Sequence, residues 1–159
     1  MKILTVYVTR TGNTERVARK VFDALGGHIE LITEPVSRKG IIGWMRSGGQ
    51  NSRREAAEIN PTQYDPSDYD LVILASPVWA GAVSAPMRGY ITKNAENLVK
   101  TAVFLTNDSG VVDEAFAEIR ELLANRPVVE GALQRSKIKG EFDATVGAFI
   151  EGISSETTS

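Results

Sequence analysis

Thr9, Thr11, Asn13 and Thr14 crowd hydroxyl and amide side chains around Gly12 within one short stretch of the chain. Side chains of these types donate hydrogen bonds without carrying charge, and a glycine among them lets the backbone bend tightly or approach a ligand closely. The stretch lies between two periodic segments. Ile3, Leu4, Val6 and Val8 form an apolar run of strand length, and Val17, Val21 and Leu25, with Ala18 and Phe22 beside them, repeat at helical spacing. A strand that empties into such a turn and then into a helix directs unpaired N–H groups and the positive end of the helix dipole at the turn, which makes a phosphate its natural occupant. The alternative is a strand-to-helix turn whose Thr and Asn residues cap the helix and bind nothing.

The turn lacks the G-x-G-x-x-G of a dinucleotide site and the G-x-x-x-x-G-K-[ST] of a nucleoside triphosphate loop, since it has a single glycine and no lysine. It resembles T-x-T-G-N-T, the loop with which flavodoxins hold the terminal phosphate of FMN, carried here by Thr9, Thr11, Gly12, Asn13 and Thr14. On that resemblance each hydroxyl bond to a charged phosphate oxygen is worth ~1.5–3 kcal/mol. Arg10 stands at a position more often uncharged in the family, and either points to solvent or pairs with the phosphate. The stretch Ser76-Pro77-Val78-Trp79-Ala80-Gly81 resembles the second flavin loop, with Trp79 as the platform beside the isoalloxazine and the Ala80-Gly81 peptide facing its N5 edge. Stacking of this kind adds ~0.5–1.5 kcal/mol beyond buried area. The other reading of Trp79 is a core residue at the rim under the following helix. Thr106, Asn107, Asp108 and Gly110 match the third loop, whose backbone N–H groups would wrap the pyrimidine edge, with Asp108 near an anionic flavin. That stretch lacks the aromatic residue many flavodoxins place there.

The elements that must position these loops follow from the rest of the chain. Gly26 and Gly27 stop the first helix, and His28 to Thr33 alternates as a short second strand. Residues 34–68 hold no clear strand, too long a gap for an ordinary connection, so a helix near residues 40–57 is expected. Its Arg38, Lys39, Arg46, Arg53 and Arg54 are either the solvated face of a crossover helix or part of a flap beside the cofactor that meets an anionic partner or a pyridine-nucleotide phosphate. Asp70 to Ala75 reads as a central parallel strand buried on both faces. A helix resumes near Ser84 with Met87, Tyr90, Ile91 and Leu98 on its buried side. Thr101 to Thr106 is a fourth strand, a helix covers Val112 to Ala124, and Val128 to Leu133 is a weaker fifth strand. Phe142, Val146, Phe149, Ile150 and Ile153 mark a last helix before a polar tail, 154–159.

Five strands alternating with helices predict an α/β fold: a doubly wound five-stranded parallel sheet in the order 2-1-3-4-5, with helices on both faces. The expected single domain spans 1–153, a range the resemblance to short-chain flavodoxins covers almost completely. In this order the loops after strands 1, 3 and 4 meet at one crevice at the carboxyl ends of the strands.

At 159 residues the chain has the size of one domain and is long enough to remove roughly 70% of its unfolded surface from water. A net charge of −2 argues against nucleic acid, and is less acidic than many electron-carrying flavodoxins. The absence of cysteine excludes disulfides and cysteine-ligated clusters, and a single histidine, His28, cannot anchor a histidine metal site. The first apolar run is too short for a signal h-region or a membrane span, so a cytoplasmic protein is expected. A phosphoacceptor receiver domain shares the predicted fold but needs carboxylates where Thr9 and Ser76 stand. A cofactor-free interaction domain of this fold remains an alternative. The resemblance implies FMN and an electron carrier working between redox partner proteins, or alternatively an NAD(P)H-dependent FMN or quinone oxidoreductase.

Overall fold

Every residue of strand β1, Ile3–Tyr7, is buried, because the strand has a partner on each side and helices over both faces. The structure, a computed structural model, describes residues 1–35 and 55–159. β1 pairs in parallel with β2, His28–Leu31, on one side and with β3, Leu71–Trp79, on the other. A two-residue strand β4, Ala82–Val83, turns back antiparallel on the end of β3. The sheet continues through β5, Thr101–Asn107, to β6, Val129–Gln134, both parallel. The order β2-β1-β3-β5-β6 is the expected doubly wound arrangement, with the hairpin strand β4 lying off that path.

Alternate residues of each strand serve the two faces. Leu4, Val6, Val72, Leu74, Val103 and Leu105 pack with Met87, Tyr90 and Ile91 of helix α2, Ala85–Asn94, and with Phe116 and Ile119 of α3, Asp113–Leu122. The opposite parity, Ile3, Leu71, Ile73, Ala102 and Phe104, packs with Val17 and Val21 of α1, Asn13–Leu25. The same face receives Phe142, Val146, Phe149 and Ile153 of α4, Ile138–Thr157. This is the period-2 strand pattern meeting the period-3.6 helix pattern, and the parallel direction of the strands places the segments that follow β1, β3, β5 and β6 at the carboxyl edge of the sheet.

The structure departs from the sequence expectation in three places. The stretch expected to leave the sheet at Ser76 stays in it: Ser76 and Pro77 pair with Leu105 and Thr106, while Val78 and Trp79 pair with Val83 and Ala82. Ser-Pro reads locally as a turn, but the proline has only a carbonyl to offer, and that carbonyl accepts from the amide of Ser84 at 3.2 Å. Of the helix expected near 40–57, residues 40–54 and the arginines and lysine at 38, 39, 46, 53 and 54 lie outside the described residues, and 55–57 are not helical. The last helix runs on to Thr157, so most of the polar tail is its exposed final turn.

One buried ion pair fastens the α2 and α3 side together. The Arg88 guanidinium donates from Nε to Glu118 Oε1 at 2.9 Å, from Nη1 to the Glu55 carbonyl at 2.7 Å and from Nη2 to the Val83 carbonyl at 3.0 Å. Both side chains are less than a tenth exposed. Arginine's planar fork lets a single side chain serve α3, β4 and the chain entering at residue 55.

Candidate functional site

The turn between β1 and α1 is held open by its own atoms. The amide of Val8 donates to the Ala75 carbonyl at 3.0 Å, so the sheet persists up to the turn. Gly12 then adopts φ 97 and ψ −8, a left-handed conformation open to glycine at no steric cost. Its N–H donates to Thr9 Oγ1 at 3.1 Å, and its carbonyl accepts from Arg16 N–H at 3.0 Å as the first helical bond. The amides of the first turn of α1 therefore have no carbonyl within their own helix to bond.

The two hydroxyls at the base of the cleft are paired across the sheet. Thr14 Oγ1 and Thr106 Oγ1 lie 2.8 Å apart and are buried, joining the start of α1 to the end of β5. One hydroxyl donates to the other, which leaves a single O–H of the pair free to donate elsewhere. Behind the turn, burial first and the charge of Glu15 second raise the pKa of the Tyr7 phenol, which therefore stays neutral beside the helix start.

The wall opposite is the β3–β4 hairpin. Ala80 (φ 50) and Gly81 (φ 78) both have positive φ, the requirement of the two-residue type I′ turn that matches the twist of its strands. Gly81 thus takes its positive φ in the setting of a hairpin rather than a free loop. Ser76 is buried beneath it, its hydroxyl donating to the Pro77 carbonyl and lying 2.8 Å from Ser84 Oγ. Trp79 is only 7% exposed and packs with the core on the α2 side, yet it also lines the cleft. The Arg10 guanidinium lies over its ring, 5.5 Å from the centroid.

The third wall is the loop after β5. Asn107 Oδ1 accepts from Gly110 N–H at 2.7 Å and Ser109 Oγ from Val111 N–H at 3.2 Å, so two amides of this loop are occupied in shaping it. Gln134 Nε2 donates to the Asp108 carbonyl at 3.0 Å and ties the loop to the end of β6.

One cleft brings together Arg10, Thr11, Asn13, Thr14, Pro77, Val78, Trp79, Thr106, Asn107 and Asp108. The other residues singled out in the sequence, Thr9, Gly12, Ser76, Ala80, Gly81 and Gly110, shape its walls without lining it. Two lining residues were missed, Arg135 and Ile138. The signal for them was topological, since whatever follows the fifth parallel strand emerges at the same edge as the other loops. Arg135 is two-thirds exposed, with Nη1 4.0 Å from Asp108 Oδ1.

The chemistry of the lining is that of a site for a planar ligand with one anionic group. Its lining combines neutral donors at a helix start with an indole, two arginines and an aspartate. His28 stands apart at the start of β2, stacked on Tyr64 at 4.6 Å and 2.8 Å from the Tyr69 hydroxyl. Among the described residues no cluster of three His, Cys, Asp or Glu could hold a metal, and no helix is long and apolar enough to cross a membrane.

No protein-family model matches the chain, and no curated protein matches its sequence. Solved structures do. A flavoprotein in complex with FMN from Lactobacillus acidophilus NCFM is similar with a TM-score of 0.70 and 19% identity, over 87% of this chain and 96% of that one. Flavodoxin 2 from Bacillus cereus is similar with a TM-score of 0.58 and 19% identity, over 98% and 99%. The Streptococcus pneumonia TIGR4 flavodoxin is similar with a TM-score of 0.56 and 15% identity, over 98% and 99%. Likeness at these identities speaks for the path of the backbone, and with the sheet order and the loops at its carboxyl edge it establishes that this chain has the flavodoxin-like fold.

Proposed function

We propose that the chain binds FMN in this cleft and carries electrons between redox partners, with residues 1–153 as the single flavin-binding domain. The observation that carries this reading is the turn 9–14: a left-handed glycine, neutral side-chain donors and the start of α1, facing the same cleft as Trp79 and the β5 loop. Such a donor set suits one terminal phosphate and contains nothing shaped for a second nucleotide. When bound, FMN supplies the redox chemistry, and the protein supplies binding and orientation. In this reading Thr11, Asn13 and the first amides of α1 hold the phosphate, and the Thr14–Thr106 pair offers its one remaining proton beside them. Val78 and Trp79 provide the apolar wall for the ring, and Asn107 and Asp108 border its polar edge. One structural neighbour, the Lactobacillus acidophilus NCFM flavoprotein, is in complex with FMN, which supports this assignment.

A second reading, an NAD(P)H-dependent FMN or quinone reductase, is favoured by the two arginines on the cleft, because cations suit an anionic nucleotide entering beside the flavin. Two measurements separate the possibilities. The purified protein is first offered FMN, FAD and riboflavin: FMN should bind most tightly, and Thr11→Ala should weaken FMN about tenfold or more while leaving riboflavin unchanged. Binding of none of the three would remove both readings. The loaded protein is then mixed anaerobically with NADH and NADPH. A carrier responds sluggishly to both, whereas bleaching within milliseconds to seconds makes the protein a reductase.

A further inference from the structure

Arg10 is unlike every other residue of the phosphate turn. Its neighbours are neutral, its backbone belongs to the cradle, and its head reaches the opposite wall, where the guanidinium rests over the Trp79 ring at 5.5 Å. It is half-buried, and among the described residues it has no carboxylate within ion-pair distance, in contrast to Arg19, Arg88, Arg120 and Arg135. A half-buried cation whose partner is an indole face is weakly held, because a cation–π contact is worth less than a charge-assisted hydrogen bond to an anion. Arg10 and Trp79 line the same cleft, so a planar ring laid against the cleft side of Trp79 takes the ground on which the guanidinium rests.

We propose that Arg10 is the residue that makes this cleft select a phosphorylated flavin over the same ring without its phosphate. The inference rests on the FMN reading above and adds to it a role for a residue at which the turn departs from its usual composition. A neutral flavin that packs on Trp79 costs Arg10 its indole contact and returns nothing. A flavin phosphate bound in the turn that carries Arg10 offers the displaced guanidinium a dianion within reach of its own side chain. The arginine thus acts with opposite sign on the two ligands, opposing the ring and supporting the phosphate. A residue that only donates to phosphate acts on one of them.

The test is equilibrium binding of FMN and of riboflavin to the wild-type protein, Arg10→Ala, Arg10→Lys and Thr11→Ala, followed by quenching of flavin fluorescence. Arg10→Ala should bind riboflavin about two- to fivefold more tightly, as the lost cation–π competition dictates, and FMN about tenfold more weakly. Arg10→Lys keeps the charge but loses the planar fork, so its ratio of the two affinities should fall between the wild-type and alanine values. Thr11→Ala should weaken FMN alone. Should Arg10→Ala weaken FMN while riboflavin binding stays unchanged or weakens, the arginine is a simple phosphate donor and the proposal is overturned. No change in either ligand overturns it as well. Failure of the wild-type protein to bind either flavin would instead remove the FMN reading, an outcome distinct from both.

Discussion

Tyr90 shows what one buried polar atom can do. The residue is fully buried on α2, and among the described residues its hydroxyl has no hydrogen-bond partner. Burial, more than the neighbouring charges of Glu30 and Asp65, pushes its pKa well above the ordinary tyrosine value. Leaving a buried hydroxyl unsatisfied costs ~1–3 kcal/mol, so Tyr90→Phe should raise unfolding stability at neutral pH by about 1 kcal/mol, measured by urea denaturation. The same substitution should alter the alkaline limb. With the folded pKa raised, the neutral phenol's contribution is fully present below the unfolded pKa of about 10 and is lost as pH climbs from there towards the folded value. Above about pH 10 the wild-type protein should therefore lose stability more steeply than Tyr90→Phe. Equal slopes for the two proteins would mean that Tyr90 is solvated in the folded state. Thr14 presents the contrasting case, since its buried hydroxyl is satisfied by Thr106 from a distant strand.

Among the elements, the weakest by length is β4, two residues that hold the hairpin wall of the cleft. Such a strand has too few ladder bonds of its own to fix its position, and it is secured from behind by the Ser84 amide on the Pro77 carbonyl and by Arg88 on the Val83 carbonyl. Arg88 is itself fixed by Glu118 of α3. Removing one member of a buried pair leaves an uncompensated charge, whereas replacing both with apolar groups is far less costly. Arg88→Met should destabilise the protein by ~3–5 kcal/mol, and adding Glu118→Leu should recover a large part of that loss. What the double variant does not recover reflects the Glu55 and Val83 carbonyls left without the guanidinium. Additive losses in a double-mutant cycle would show that the two side chains do not work as a pair.

For the molecule as a whole, the proposed ligand should act as a staple across the sheet. The cleft draws on the ends of β1, β3, β5 and β6, so whatever fills it links loops that the polypeptide joins only through the core. Binding to the folded state alone adds about 2.7 kcal/mol at a ligand concentration of 100 Kd. For a domain of this size each kcal/mol shifts Tm by about 2–4 °C, so saturating FMN should raise Tm by roughly 5–11 °C. A thermal scan with and without FMN checks this. Under the proposal for Arg10, riboflavin at the same molar concentration should give a smaller rise.

Several of these features are written locally in the chain. The β1-turn-α1 unit is legible because Ile3 to Val8, Gly12 and the Val17–Val21–Leu25 stripe each express a constraint that acts over a few residues: burial on both faces, a left-handed φ, and one helical face. The unbroken apolar run at Leu71–Ala75 and the stripe of α4 are of the same kind. Tertiary structure decided what depends on residues far apart in sequence. Ser76 to Trp79 became strand because β5 and β4 supplied partners for a stretch whose local chemistry reads as a turn. Trp79 became both core and cleft, Arg88 found Glu118, and Thr14 found Thr106 across the sheet. Arg135 reached the cleft only because β6 ends at the same edge as β1. Backbone sterics and burial periodicity act between near neighbours and can be read along the chain, whereas which distant side chains meet is set by strand register, and register exists only once the sheet has formed.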